Sequence, residues 1–163
     1  MAKPIYPIPV PKSVSIDVVK GMRQGSENAC SVYGCCHAWQ VKRAFAGLST
    51  EIDPIEIYTQ VLLEKYDGYY PNKSVSVPET LRKMRELGYI RTWRSMPTTP
   101  EEFTIKIYQI YPVITVLHTT SRLHVVCVLE YDENEFKAID SQSRHRLTVT
   151  DFSTLEASYI LFL

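Results

Sequence analysis

Cys30, His124 and Asp140 have the residue types and the positions that nucleophilic chemistry needs. Cys30 falls in the first turn of the clearest helical pattern in the chain. A thiol there is favoured as its thiolate, because exposed amides and the helix dipole attract negative charge. A thiolate nucleophile needs a base or imidazolium beside it, and the chain has four histidines. His37 lies two turns up the same helix, about 10.5 Å away at the α-helical rise, and is out of reach. His118 ends one strand candidate and His145 follows two others. His124 comes with a partner. It begins a strand candidate, a turn follows at Asp132-Glu133-Asn134, and Asp140 ends the return strand. A hairpin centred there sets position 124 opposite residues near 140–142, so imidazole and carboxylate meet across adjacent strands. Such a carboxylate fixes the imidazole tautomer and stabilises the imidazolium.

The approach to the thiol carries a resemblance. Gln24-Gly25-Ser26-Glu27-Asn28-Ala29-Cys30 resembles the Gln-Gly-x-x-x-x-Cys segment of the papain family. In that family the glutamine side chain and the cysteine N–H form the oxyanion hole, which the resemblance implies for Gln24. His124-Val125-Val126 is similar to the His-Ala-Val strand that carries the family's base. The family's third residue, an asparagine in Asn-Ser-Trp-Gly, follows its histidine at the interval that separates His124 from Asp140. The departures are Asp at 140, Gln142 in place of the shielding Trp, and Ser31 rather than Trp after the nucleophile. The family's disulfides and Gly-Gly stretch are also missing. Asp in third place looks more like the bacteriocin-processing, double-glycine peptidases of the same clan. The ending, Ile139-Asp140 through Leu147–Phe152 to Tyr159-Ile160-Leu161, is similar to theirs. The resemblance runs over roughly residues 14–163 and is tightest near 24–34 and 111–142.

The resemblance implies a papain-like α+β fold, with the nucleophile helix packed on a C-terminal antiparallel sheet. It implies thiol acyl transfer on a protein or peptide substrate, with no cofactor and no metal. Leu123, next to the base, is placed to touch a substrate side chain. Tyr69 and Tyr70 either line a substrate groove or decorate a loop. Two other readings share these residues: an acyltransferase of the transglutaminase type, and a binding module without catalysis. A zinc site from Cys35, Cys36, His37 and Cys127 has no Cys-x-x-Cys spacing behind it. Those three cysteines read as core.

The surrounding pattern supplies the elements that must hold these groups. Residues 1–13 form a Pro-rich extended arm, and 14–28 a loop. Residues 29–47 form a helix with Cys30, Gly34, Ala38, Val41 and Phe45 on one face. Gly34 and Ala38 are small and permit close approach to a neighbouring layer. Asp53 caps a helix from Pro54 to about residue 64, and another runs from about Pro78 to Leu87. Tyr66–Ser76 between them is a loop. A short strand at 89–94 and a short helix from Pro100 follow. Strand candidates then occupy 111–118, 124–131, 135–140, 146–149 and 158–163. Helices first and an antiparallel sheet afterwards is an α+β layout.

The 163 residues suit one domain with its own core. Eighteen basic residues balance eighteen acidic ones, which argues against nucleic acid or an anionic membrane as the main partner. The sequence has no signal-peptide pattern and no long apolar run. Cytoplasmic placement with reduced thiols is the expectation; the oligomeric state is not encoded in these features.

Overall fold

The computed structural model describes residues 22, 24–109, 111–118, 123–132, 135–141, 146–149 and 155–163. The Pro-rich arm, residues 133 and 134 of the turn, Gln142, Ser143, His145 and the 150–154 connection lie outside the described residues.

Among the described residues are four helices: α1 (Cys30–Phe45), α2 (Pro54–Tyr66), α3 (Val77–Glu86) and α4 (Pro100–Tyr108). They accompany six strands: β1 (Thr92–Met96), β2 (Val113–His118), β3 (Leu123–Asp132), β4 (Glu135–Ile139), β5 (Arg146–Val149) and β6 (Leu155–Phe162). Local chemistry sets the helix starts. The Asp53 carboxylate accepts from the Ile55 N–H at 3.0 Å, and Pro54, which has no N–H to satisfy, takes the first helical position. Ser76 and Glu79 form a reciprocal capping box at the start of α3. Glycines at positive φ follow α1 and α3, at Gly47 and Gly88.

The strands form one antiparallel sheet in the order β1-β6-β2-β3-β4-β5. The strand latest in sequence therefore sits inside the sheet, joined to β1 on one side and β2 on the other. Each face has its own core. On one face α1, α2 and α3 bury Val32, Tyr58, Leu62 and Leu81 together with Ile114, Val125 and Leu161 of the sheet. On the other, Phe103 of α4 packs with Val113, Val126, Val128 and Ile160.

Helix α1 is buried on every side from Ser31 to Val41 rather than along one stripe. It runs between the sheet and the other helices, so Cys35 and Cys36 are both buried although they point in different directions. Phe45, on the helix face shared with Cys30, Gly34, Ala38 and Val41, is exposed, because the last turn carries Lys42 and Arg43 beyond the packed layer. Gly34 explains how closely α1 approaches β3. A Cβ at that position would stand 2.7 Å from Val125 Cγ1. The short strand begins at Thr92 rather than 89, and β6 begins at Leu155 rather than 158. No helix among the described residues is long and apolar enough to cross a membrane.

Candidate active site

Cys30 is the first residue of α1 and is half-buried, while Cys35, Cys36 and Cys127 are fully buried free thiols. Burial pushes all three of those thiols well above the ordinary range, which keeps them protonated and inert. The start of α1 has no side-chain cap. Ala29, in the capping position, cannot supply one.

The strand that carries His124 reaches this helix end because β3 lies directly under α1. His124 is the second residue of β3 and is buried. The β3–β4 register is shifted between Val128 and Glu130, and it then pairs Cys127 with Ile139. One step further along that register, Asp140 comes beside Val126, diagonal to His124. The diagonal is short enough for a direct bond: His124 Nε2 and Asp140 Oδ1 lie 2.8 Å apart. Burial alone disfavours a charged imidazole. The Asp140 hydrogen bond and the Cys30 side chain, reinforced by charge attraction to both, outweigh it and raise the His124 pKa to about 9. Nδ1 makes no hydrogen bond of ordinary geometry, although Cys30 acts on the ring electrostatically. With Nε2 committed to Asp140, Nδ1 is the nitrogen left to exchange a proton with the thiol.

His37 is placed on the same helix as expected and plays a different part. Its Nε2 accepts the Met22 N–H at 2.8 Å, and burial lowers its pKa to about 4. It is a neutral core histidine.

Gln24 is tied to the site at both ends of its carboxamide. Oε1 accepts from the Ser141 hydroxyl at 2.8 Å, and Nε2 donates to the Glu27 carbonyl at 2.8 Å. The Gln24 backbone N–H also donates to the Ser141 carbonyl at 2.8 Å. These bonds fix which end of the amide is nitrogen, and one Nε2 hydrogen is left over, because a carboxamide has two. Glu27 shapes the same loop by accepting from the Gly25 N–H at 3.0 Å and from the Tyr33 hydroxyl at 3.4 Å. Ser141, buried and next to Asp140, is the residue that sequence reasoning passed over. It joins the glutamine loop to the end of β4, and a serine after an acidic residue carries no signal of such a bond.

Leu123 is exposed and lines a cavity beside Cys30. Tyr69 and Tyr70 do not line it. Their rings pack edge-on against Tyr58 and Tyr66, at 6.0 and 6.4 Å between centroids. The loop they occupy still borders the approach to Cys30. Asn28 N–H donates to the Pro71 carbonyl at 2.8 Å, and the buried Tyr58 hydroxyl anchors the loop through the Pro71 and Lys73 carbonyls.

No family model matches the sequence, and no curated protein matches it. Solved structures do. One is xylellain, a cysteine protease from Xylella fastidiosa, with a TM-score of 0.74. The match covers 88% of this chain and 82% of that one at 10% identity. Likeness at that identity is likeness of backbone. Together with the helices-then-sheet order above, it makes the fold of this chain α+β and papain-like.

Proposed function

We propose that the protein is a cysteine peptidase or amidase that cleaves peptide or isopeptide bonds in a protein or peptide substrate. The observation that carries this reading is the 2.8 Å His124–Asp140 bond at the N-terminus of the helix that begins with Cys30. Cys30 sulfur attacks the amide carbonyl carbon, and the carbonyl π electrons move onto oxygen. The Cys30 N–H and the spare Nε2 hydrogen of Gln24 stabilise that oxyanion, a contribution of about 3 kcal/mol per donor in comparable sites. His124 gives its proton to the amine as the C–N bond breaks, leaving a thioester on Cys30. The imidazole then takes a proton from water, hydroxide adds to the thioester, and the carboxylic acid leaves with the thiolate restored. Asp140 holds the ring for both transfers. Ser141 acts through Gln24, by turning its amide nitrogen toward the oxyanion.

Iodoacetamide at neutral pH, followed by peptide mass mapping, tests the reading. Cys30 is alkylated at least about tenfold faster than Cys35, Cys36 or Cys127 in the folded protein. Cys30→Ala abolishes hydrolysis of a peptide substrate pool while the fold survives. Equal labelling of Cys30 and Cys127 in the folded chain would sink the proposal.

A further inference from the structure

The cavity beside Cys30 has a volume of about 520 Å³ and lies on the helix side of the sheet. Its lining is apolar where Val75, Val77, Val116, Val125, Ala157 and Tyr159 meet. Among the described residues, three charged ones also border it: Lys65, Glu79 and Glu156. Lys65 and Glu79 neutralise each other across 3.0 Å. Glu156 is exposed and has no ion-pair partner among the described residues. Among the described lining residues, that leaves one unbalanced negative charge.

An irregularity in the sheet delivers that charge. Val116 pairs with Ala157, but Leu117 pairs with Leu155, so Glu156 is an extra residue in β6. Leu155, like Ile160, packs in the core under α4, whereas Tyr159 packs in the core under α1. Strict alternation would put Glu156 with Ser158 and Ile160 on the α4 face, away from Cys30. The bulge breaks the alternation, and Glu156 borders the cavity beside Ala157. Bulges commonly re-aim a side chain in this way.

We infer that Glu156 makes this cavity a subsite for a substrate residue with an aliphatic stem and a cationic tip, lysine or arginine. The inference rests on the acyl-transfer reading above and names the substrate class for it. The stem lies along the valines and Tyr159, and the tip reaches the carboxylate. Leucine fills the apolar part alone. A glutamate side chain meets like charge.

The test uses N-capped dipeptidyl acyloxymethyl ketones, which place a thioether on the thiol as their carboxylate leaves. Each probe carries arginine, leucine or glutamate at one of its two residues and glycine at the other. Labelling rates are read by intact mass, with iodoacetamide alkylation of Cys30 measured beside them. At one of the two positions arginine labels about tenfold faster than leucine at low salt, and glutamate labels slowest. Glu156→Gln brings the arginine-to-leucine ratio to near one, and Glu156→Lys reverses the order of arginine and glutamate. If iodoacetamide selects Cys30 but arginine gains nothing at either position, the inference is overturned and the acyl-transfer reading stands. The same holds if Glu156→Gln keeps the arginine preference. If iodoacetamide does not select Cys30, both fall together.

Discussion

Helices α1 and α2 begin in opposite ways. At α2 an aspartate caps the first amides and a proline removes one N–H that would need a partner. At α1 the capping position is a buried alanine with nothing to offer. The loss of an N-cap ordinarily costs about 1 kcal/mol. The two starts show where the chain spends its polar groups. α2 closes its own end for stability, whereas α1 has no side-chain cap and begins with the Cys30 thiol.

That contrast can be broken from the α1 side first. Asp140→Ala lowers hydrolysis by a factor of about a hundred or more, because the imidazole loses its orienting partner. It also changes pH dependence. The raised pKa of His124 means that the folded state holds this proton more tightly than the unfolded one. Its stabilising effect is full below about pH 6.5 and disappears as pH rises through about 9. Urea unfolding between pH 6 and 10 shows this alkaline decline in the native protein, and Asp140→Ala flattens it. An alkaline decline that survives Asp140→Ala would remove His124–Asp140 as its source.

Gly34→Ala comes next. The new methyl meets Val125 and pushes α1 from β3, at a cost of about 1–3 kcal/mol in denaturant unfolding. Val125→Ala in the same chain recovers part of that loss, since it removes the clashing Cγ1. If the two changes simply add, the close approach is not what Gly34 provides. Ser141→Ala frees the Gln24 amide and lowers kcat about tenfold with little change in KM, because the oxyanion exists only during reaction. A change confined to KM would contradict a positioning role. On the α2 side, Asp53→Ala costs about 1 kcal/mol of stability and leaves the Cys30 alkylation rate unaltered. A slowed alkylation would mean that the two helix starts are not independent.

Much of this was readable in the sequence where the signal is local. Asp53-Pro54 marks a helix start without reference to anything distant, and Gly47 and Gly88 mark ends. The Cys30, His124 and Asp140 spacings were also legible, because a hairpin converts a sequence interval into a meeting across two strands. The cavity was not. Cys30, residues 74–79, Val116, Leu123 and Ala157 come to it from separate parts of the chain, and no periodicity links such distant segments. Nor was the bulge at Glu156, since an extra residue leaves no mark until its neighbours are paired. Tyr69 and Tyr70 stay exposed on their loop while their rings pack against Tyr58 and Tyr66, a pairing that spacing along the chain does not show.

The position of β6 has a consequence for how the protein comes into being. β1 and β2 touch this strand rather than each other, so the sheet is split until residues 155–162 have been synthesised. Ala157 and Tyr159, and the acidic residue at the bulge, arrive with it. A nascent chain that already displays the thiol, the imidazole and the carboxylate still has no wall on that side of the cavity. Assembly of the pocket is thus deferred until residues 155–162 have emerged, after Cys30, His124 and Asp140.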